Sequence, residues 1–280
     1  MGALPPRIGP KLSDTTFRAI SDIAHDVAGL HLPASKKALV ASRISRRLSR
    51  LALSSFEDYL GLIQERGAPE RRRMATALTT NVSTFFREQH HFAVLEQVIL
   101  PPLLARAAQG DRLRIWSAGC ANGQEAYSIA LSILDISPDT KALDVRVLAT
   151  DIDPLAIRTA QLGAYHASMM SDVPAAHKER HFDYDASAQT YVASPALRAL
   201  VLFRELNLHG PWPMPGRFDI IFCRNVVIYF DEEGRNALWS RFQEKLTDGG
   251  WLLVGHSERV PESVAPRLKV QNARTIYRLG

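Results

Sequence analysis

The first 80 residues carry apolar positions at helical spacing and show no strand-like alternation. Ser13 is a residue type that commonly begins helices, and Gly29 is one that commonly ends them. The same spacing predicts a second helix over residues 33–51 and a third over residues 55–65. We therefore expect an all-helical N-terminal segment.

From Arg112 onward the pattern changes to short apolar runs separated by helical stretches. This alternation predicts a doubly wound α/β domain. The interval between Gly163 and Leu200 breaks the alternation with short mixed segments, so we expect a small inserted subdomain there. The predicted strands lie near 113–117, 145–150, 200–204, 218–224 and 250–255.

A glycine-containing turn follows the first of these strands. The strand ends near Ser117, Gly119 and Gly123 lie in the turn, a helical stretch follows, and the next strand ends at Asp151. In open α/β sheets, ligands bind beyond the carboxyl ends of the strands, where an acid can accept hydrogen bonds from a ribose. Glycine would let the backbone approach such a ligand closely. We therefore predict a nucleotide-like ligand at this turn.

The spacing within this region discriminates between nucleotides. A dinucleotide fingerprint requires G-x-G-x-x-G with an acid about 20 residues further on. Here the glycines are spaced G-x-x-x-G, Asp151 lies 32 residues beyond Gly119, and no G-x-x-x-x-G-K-[ST] phosphate loop occurs. The pattern favours S-adenosylmethionine over NAD. The alternative is that the glycines only serve tight turns and Asp151 only caps a helix.

Composition limits the class of protein. With 280 residues and 46% hydrophobic content, the chain can bury a sizeable core. No apolar run reaches ~18 residues, and the N-terminus lacks the basic-then-apolar order of a secretory signal. We therefore expect no membrane insertion and a cytoplasmic location. Cys120 and Cys223 adjoin strand ends without metal-ligand spacing, which predicts buried cysteines and no metal site.

Positive charge is concentrated in the N-terminal segment. Residues 1–80 contain 13 Lys/Arg against 7 Asp/Glu, whereas the remaining residues contain 21 against 22. The second predicted helix presents Arg43, Arg46, Arg47 and Arg50 on one face. These arginines form either a solvated face or a surface for an acidic partner. The absence of interleaved aromatic residues disfavours single-stranded nucleic acid.

The segment over residues 78–92 joins the helical part to the α/β part. Adjacent Phe85 and Phe86 would anchor it on a core, while Asn81, Ser83 and Arg87 would offer polar groups from one side. The alternative is a plain helix with an aromatic stripe and a surface arginine.

Five segments of the chain carry the motifs of one family in the same order. They read TTNVSTFFRE, SAGCANGQEAYS, ATDID, FDIIFCRNVVIYF and GGWLLVGHSE, at residues 79–88, 117–128, 149–153, 218–230 and 249–258. In these motifs the chain resembles the chemotaxis receptor methyltransferases of bacteria, the CheR family. The resemblance spans residues 17–279.

The resemblance implies a fold and a reaction. The fold is an N-terminal helical, basic substrate-docking domain at 1–83, followed by a Rossmann-like methyltransferase domain at 84–280 that holds a β-subdomain at about 163–200. The reaction is methyl transfer from S-adenosyl-L-methionine to glutamate side chains of chemoreceptors. Its products are glutamate methyl esters and S-adenosyl-L-homocysteine.

Motif positions also imply site residues. Arg87 and Tyr229 are expected to be catalytic, with the Tyr229 hydroxyl at the reacting centre, and Asn207 is expected to contact the adenine edge. The residues expected to bind the cofactor are Asn81, Ser83, Arg87, Gly119, Glu125, Asp151, Asn207, Leu208, Arg224 and Asn225.

The resemblance further implies a partner. Receptor methylation helices are acidic, so Arg43, Arg46, Arg47 and Arg50 would dock them, and no nucleic-acid partner is expected. Residues 183–190 lack the Gly-rich loop of family members that tether to a receptor's C-terminal peptide, which argues against tethering. Two alternatives remain open: a methyltransferase with another substrate, and a non-catalytic adaptor that binds S-adenosylmethionine.

Overall fold

The computed structural model describes residues 11–140, 142–272 and 274–280, so the sequence argument about the first ten residues lies outside the described part. Contact density divides the chain into a helical unit and an α/β unit. The helical unit contains the residues up to Thr80 together with Tyr229–Gly234, and the α/β unit contains Asn81–Ile228 and Arg235–Gly280. No helix of the described residues is long and apolar enough to cross a membrane.

The helices of the N-terminal segment are α1 (Asp14–Ala28), α2 (Lys37–Leu51), α3 (Phe56–Gln64) and α4 (Pro69–Leu78). The first prediction is confirmed: Ser13 Oγ accepts from Thr16 N at 3.0 Å, and Gly29, at φ 67°, ends α1. The second helix begins later than predicted, since residues 34–36 form a 3₁₀ turn. The third helix is confirmed over nearly the predicted range.

Helix α4 was not predicted, because its sequence begins as a run of charged residues. Glu70 and Arg71 are nevertheless buried, at 4% and 8% exposure. Glu70 accepts two hydrogen bonds from Arg47, and Arg71 lies 2.5 Å from Asp26. The inner face of α4 thus uses paired charges beside its apolar residues, a pattern that hydrophobic periodicity does not detect.

The α/β unit begins with helical segments: α5 (Gln89–Val94), a π-helical turn (Leu95–Ile99) and α6 (Leu100–Ala107). The elements that follow are β1 (Leu113–Ala118), α7 (Gln124–Ile136), β2 (Val145–Asp151), α8 (Pro154–Leu162), β3 (Ala164–His166), α9 (Ala175–His181), β4 (Phe182–Asp185), β5 (Thr190–Ala193), α10 (Pro195–Ala199), β6 (Val201–Glu205), β7 (Phe218–Cys223), α11 (Glu232–Lys245), β8 (Leu246–Val254), β9 (Leu268–Asn272) and β10 (Ile276–Leu279).

Within the described ranges, the main sheet has the strand order β6-β2-β1-β7-β8-β10-β9. The first five of these strands are parallel, and they are the five that the sequence predicts. The expectation that strands and helices alternate to the end of the chain is wrong. β10 pairs antiparallel with both β8 and β9, so a hairpin closes this edge of the sheet.

A second sheet, of order β3-β5-β4, lies in the interval where the alternation fails. Its strand pairs are antiparallel. Tyr165, Phe182 and Ala193 are buried and belong to the same core cluster as the apolar residues of β1 and β2. The small sheet is therefore packed on the α/β core.

Candidate active site

Four neighbouring parallel strands end at one edge of the main sheet, and each is followed by predicted cofactor residues. Gly119 follows β1, Asp151 ends β2, Asn207 comes two residues after β6, and Arg224 follows β7. Because the strand order is β6-β2-β1-β7, these four strand ends adjoin one another. The topology thus gathers residues from across about 100 positions of sequence at the edge where such sheets bind ligands.

The two glycines of the turn after β1 are required by its backbone conformation and by close packing. Gly119 has φ +89°, and a Cβ added there would lie 2.3 Å from Cγ2 of Val226. Gly123 has φ +91°, and an added Cβ would lie 2.7 Å from Cβ of Ala160. Both conformations favour glycine. The fold itself therefore requires these glycines, as the tight-turn alternative predicts, whether or not the backbone there also approaches a ligand.

Asp151 is buried at the end of β2 and holds the turn in place. Its Oδ2 accepts from Ala121 N at 2.8 Å, and its Oδ1 accepts from Asp153 N at 2.9 Å. Burial raises the pKa of the Asp151 carboxyl, although these amide contacts oppose the shift. Each carboxylate oxygen can accept a further hydrogen bond. Asp151 therefore has acceptor capacity left for a diol.

Glu125, in the first turn of α7, forms an ion pair with the buried Arg224, which follows β7. Oε2 of Glu125 lies 3.1 Å from Nη1 of Arg224, and its Oε1 accepts from Ser117 Oγ at 2.7 Å. Burial raises the pKa of the Glu125 carboxyl, and Arg224 counteracts that shift. Nη2 of Arg224 donates to the carbonyl of Arg87 and lies 3.4 Å from Oε2 of Glu88. One guanidinium thereby connects β7, α7 and the joining segment.

The joining segment is fixed to the α/β unit at several points. Asn81 Nδ2 donates to Asp153 Oδ2 at 2.6 Å, and Phe86 N donates to Ser128 Oγ at 2.9 Å. Phe85 is fully buried, with its ring centroid 5.0 Å from that of Tyr165. The predicted anchoring role of Phe85 is confirmed. Ser83 and Arg87 are half-buried in the same segment, and Arg87 Nη1 donates to Val82 O.

The turn after β6 presents Asn207 and Leu208. Asn207 Oδ1 accepts from His209 N at 3.0 Å, while Leu208 is buried. Arg241 of α11 donates to the carbonyls of Leu208 and Gly210 at 2.8 and 2.7 Å. Arg241, for which the sequence predicts no role, therefore fixes the backbone of this turn.

Buried polar atoms at or beside this edge form no hydrogen bond with the described residues: Nε of Arg224, Oε1 of Gln124, Oε2 of Glu88 and Nδ1 of His91. Buried polar atoms in folded proteins are nearly always paired. An unused donor and an unused acceptor, beside a carboxylate with spare acceptor capacity, fit a ligand with both polar functions. S-adenosylmethionine, with its ribose diol, amino and carboxylate groups, is such a ligand.

Glu88 and His91 form a second polar cluster beside Arg224. Burial, together with the charge of Arg224, lowers the pKa of His91 to about 3, so its ring is neutral. His91 Nδ1 lies 3.3 Å from Glu88 Oε2, and its Nε2 lies 2.8 Å from Thr275 Oγ1. We assign the ring hydrogen to Nδ1, facing the carboxylate, with Nε2 accepting from Thr275.

Glu88, His90 and His91 also place possible metal-ligand atoms within 4.8 Å of one another. The guanidinium of Arg224 already neutralises the Glu88 carboxylate at 3.4 Å and would repel a cation. The cluster is therefore explained as an ion-pair network.

Comparison with known proteins decides the family. Residues 81–276 match the family described as "CheR methyltransferase, SAM binding domain", and residues 15–79 match "CheR methyltransferase, all-alpha domain". The chain belongs to the CheR methyltransferase family. It is an S-adenosylmethionine-dependent methyltransferase, as the glycine spacing and the motifs predict.

Named CheR-family relatives align with most of the chain. A "Probable chemotaxis protein methyltransferase" of Rhizobium etli is 45% identical over 83% of this chain and 88% of its own length. A "Chemotaxis protein methyltransferase" of Klebsiella aerogenes is 37% identical over 88% and 84%, respectively. The protein of that name from Escherichia coli is 35% identical over 96% and 92%.

Asn225 follows Arg224 in the α/β unit, whereas Tyr229 and the four predicted arginines of this CheR-family enzyme belong to the helical unit. Tyr229 is half-buried at the end of a 3₁₀ turn, and its carbonyl accepts from His31 N at 2.7 Å. The four arginines lie on α2, as predicted, but they differ in environment. Arg46 and Arg50 are exposed, whereas Arg43 and Arg47 are half-buried.

Arg43 and Arg47 are engaged within the helical unit, which narrows the predicted docking face. Arg43 donates to the carbonyl of Thr79 at 2.5 Å and to Thr80 Oγ1 at 2.6 Å. Arg47 binds both carboxylate oxygens of Glu70, at 2.7 and 2.6 Å. Exposed positive charge on this face therefore comes from Arg46 and Arg50.

The motifs contain three further carboxylates for which the sequence predicts no role: Glu88, Asp153 and Glu258. Asp153 stands before Pro154 at the start of α8, and an acid before proline at a helix start is a readable N-cap signal. Glu258 ends the last motif, but its burial and partners depend on tertiary structure. Sequence spacing alone does not reveal such contacts.

Proposed function

We propose that this CheR-family enzyme transfers the methyl group of S-adenosylmethionine to glutamate side chains of chemoreceptors and forms glutamate methyl esters. The observation that carries the proposal is the match of both family domains along one chain, residues 15–79 and 81–276. A cytoplasmic location is part of the proposal, because the target glutamates lie on the receptors' cytoplasmic helices.

The proposed cofactor residues are those predicted from the motifs. Asp151 would accept hydrogen bonds from the ribose hydroxyls, and Asn207 with Leu208 would contact the adenine. Glu125, Arg224 and the joining segment with Arg87 would bind the amino acid end. The remaining proposed contacts are Asn81, Ser83, Gly119 and Asn225. When bound, the cofactor supplies an electrophilic methyl group on a sulfonium centre.

The nucleophile requires no general base. A glutamate side chain has a reference pKa near 4.3, so it is already a carboxylate at neutral pH. The protein must then align the carboxylate oxygen with the methyl carbon and exclude water. We assign Arg87 and the Tyr229 hydroxyl to orienting the substrate carboxylate, since both can donate hydrogen bonds to it.

The helical unit is proposed to dock the acidic receptor helix through its exposed arginines, Arg46 and Arg50. The proposed boundaries are 1–83 for the docking domain and 84–280 for the methyltransferase domain, with the β-subdomain at about 163–200. Tethering to a receptor tail through residues 183–190 is not part of the proposal.

Labelled methyl transfer tests this proposal. The enzyme is incubated with labelled S-adenosylmethionine and acidic receptor fragments, and the product is treated with alkali. We expect alkali-labile label on wild-type fragments and none on fragments whose target glutamates are replaced by alanine. Alkali-stable label would indicate another substrate, and cofactor binding without any turnover would indicate an adaptor. Either result would overturn the proposal.

A further inference from the structure

Glu258 is a buried carboxylate for which the proposed reaction has no role so far. It follows β8 and is 3% exposed. Its Oε2 accepts from Gly255 N at 2.6 Å and from Asn225 N at 2.9 Å. Its Oε1 accepts from Val226 N at 3.0 Å and from Val227 N at 3.1 Å. One side chain thus accepts four backbone hydrogen bonds.

Three of these donors are consecutive residues of the loop after β7. The loop starts at Arg224, whose side chain binds Glu125, and Asn225 has a left-handed backbone with φ 58°. A non-glycine residue in that region is strained unless its surroundings hold it. Successive amides that converge on one anion provide such a hold. Glu258 therefore stabilises the unusual loop conformation directly.

The contact requires the charged form of Glu258 and a small neighbour. Burial raises the pKa of the Glu258 carboxyl, whereas the four amide contacts lower it. A glutamine at this position would retain one acceptor oxygen and turn an NH₂ group toward other amides. Gly255 has no room for a side chain, because an added Cβ would lie 2.7 Å from Glu258 Oε2 and 2.8 Å from Asn225 N.

We propose that Glu258 is a positioning residue for the cofactor: its carboxylate holds the backbone of residues 225–227 in the conformation that presents Arg224 and Asn225 to S-adenosylmethionine. This inference rests on the proposed cofactor contacts of Arg224 and Asn225. Both carboxylate oxygens of Glu258 are engaged by backbone amides, so its proposed effect on the cofactor is exerted through the loop. Glu258 follows β8 in sequence, but the backbone that it holds follows β7.

The test compares two buried carboxylates associated with the same strand. Asp219 lies at the start of β7, is 8% exposed, and accepts from Arg114 N at 2.8 Å. Glu258→Gln places an amide among four backbone donors beside the candidate site, whereas Asp219→Asn places an amide beside one backbone donor and one hydroxyl at the other end of the strand. Calorimetry with S-adenosylhomocysteine should show affinity lower by about 10- to 100-fold for Glu258→Gln and unchanged affinity for Asp219→Asn. Thermal unfolding should show that both variants are folded.

Gly255→Ala supplies a second perturbation of the same contact without changing charge. We expect it to weaken S-adenosylhomocysteine binding by about tenfold. In both site variants, hydrogen exchange of amides 225–227 should be faster than in wild type, and KM for S-adenosylmethionine should rise more than kcat falls. Folded Glu258→Gln and Gly255→Ala variants with wild-type affinity would overturn the inference. Failure of the proposed function is a separate result, since wild type would then bind cofactor without forming alkali-labile esters.

Discussion

The side-chain amide of Asn81 donates to Oδ2 of Asp153 at 2.6 Å, joining residues that are 72 positions apart in sequence. Oδ1 of the same carboxylate accepts from Leu155 N at 2.9 Å and caps α8. One acid therefore begins a helix and fixes the segment that carries Phe85. Because Asn81 is a proposed cofactor residue, Asp153 sets the orientation of a group at the site.

Replacing Asn81 by aspartate should place two carboxylates in contact. Their repulsion would displace the joining segment at neutral pH and raise the pKa of one of them. We expect Asn81→Asp to weaken S-adenosylhomocysteine binding more than Asn81→Ala does, and to regain affinity as the pH is lowered toward 5. Calorimetry across this pH range measures both variants. Equal affinities of the two variants at every pH would show that the contact does not bear on the cofactor.

The sequence predicts which strand ends carry the candidate site, but it does not predict the contacts between the side chains there. Gly119 and Asp151 follow predicted parallel strands, and the topology of such sheets brings those ends together whatever the side chains are. The partners of Arg224 depend instead on which loops meet in three dimensions. Glu258 likewise accepts from residues more than 30 positions away. Hydrophobic periodicity carries no information about such contacts.

The same limit applies to the helical unit. The spacing on α2 correctly predicts that its four arginines share a helix, but not that Glu70 takes up Arg47. Glu70 and Arg71 are charged residues at buried positions of α4, so the spacing of apolar residues does not predict this helix. Paired charges inside a small helical unit are therefore the main reason that the sequence prediction fell short there.

Asp151→Asn and Glu125→Gln should separate ligand binding from stability. Both should weaken S-adenosylhomocysteine binding by about tenfold or more, because each removes a charged acceptor at the site. Glu125→Gln should also lower the free energy of unfolding by about 1–3 kcal/mol, since it removes the closer of the two carboxylates that pair with the buried guanidinium of Arg224. Calorimetry and urea unfolding give the two quantities. Unchanged affinity in folded Asp151→Asn would remove the ribose assignment.

Tyr229→Phe should lower turnover more than cofactor affinity. The substitution removes only the hydroxyl, which is proposed to hold the substrate carboxylate, and it retains the ring and the carbonyl that accepts from His31. Single-turnover methylation and S-adenosylhomocysteine calorimetry on the same sample give the comparison. A variant with wild-type turnover would assign Tyr229 a purely structural role.

His91 should make the protein less stable in acid. Its folded pKa of about 3 lies below its ordinary value of 6.5, so the unfolded chain binds a proton that the folded chain does not. The contribution of neutral His91 is present above pH 6.5 and is lost as the pH falls toward 3. The loss should approach about 1.4 kcal/mol per pH unit in this window.

Urea unfolding of His91→Gln between pH 7.5 and 4.5 checks this expectation. The variant should lose less stability on acidification than wild type, because glutamine does not titrate. The exposed neighbour provides the control: His90→Gln should retain most of the wild-type loss of stability on acidification, because His91 stays buried. If His91→Gln and wild type have parallel stability curves, the pKa of His91 is the same in the folded and unfolded states, which would contradict the expectation.

The arginines of α2 should divide into two pairs with different effects. Arg46→Glu/Arg50→Glu should slow receptor methylation by about tenfold or more, since repulsion replaces attraction toward an acidic helix. Cofactor affinity and stability should remain as in wild type, because both side chains are exposed. The wild-type reaction should slow as salt rises, and the reversed variant should be less sensitive to salt.

Arg47→Ala is the contrasting variant on the same helix. It leaves Glu70 buried without its bidentate partner, so it should lower the free energy of unfolding by about 3 kcal/mol. Its methylation rate at a temperature where it is folded should stay closer to wild type than that of the double reversal. If the exposed face is only solvated, Arg46→Glu/Arg50→Glu should methylate at the wild-type rate. If the exposed arginine face binds nucleic acid instead, Arg46→Glu/Arg50→Glu should abolish a gel shift with RNA or duplex DNA while methylation continues. Assaying methylation and nucleic-acid binding on one preparation therefore distinguishes receptor docking, a solvated face and nucleic-acid binding.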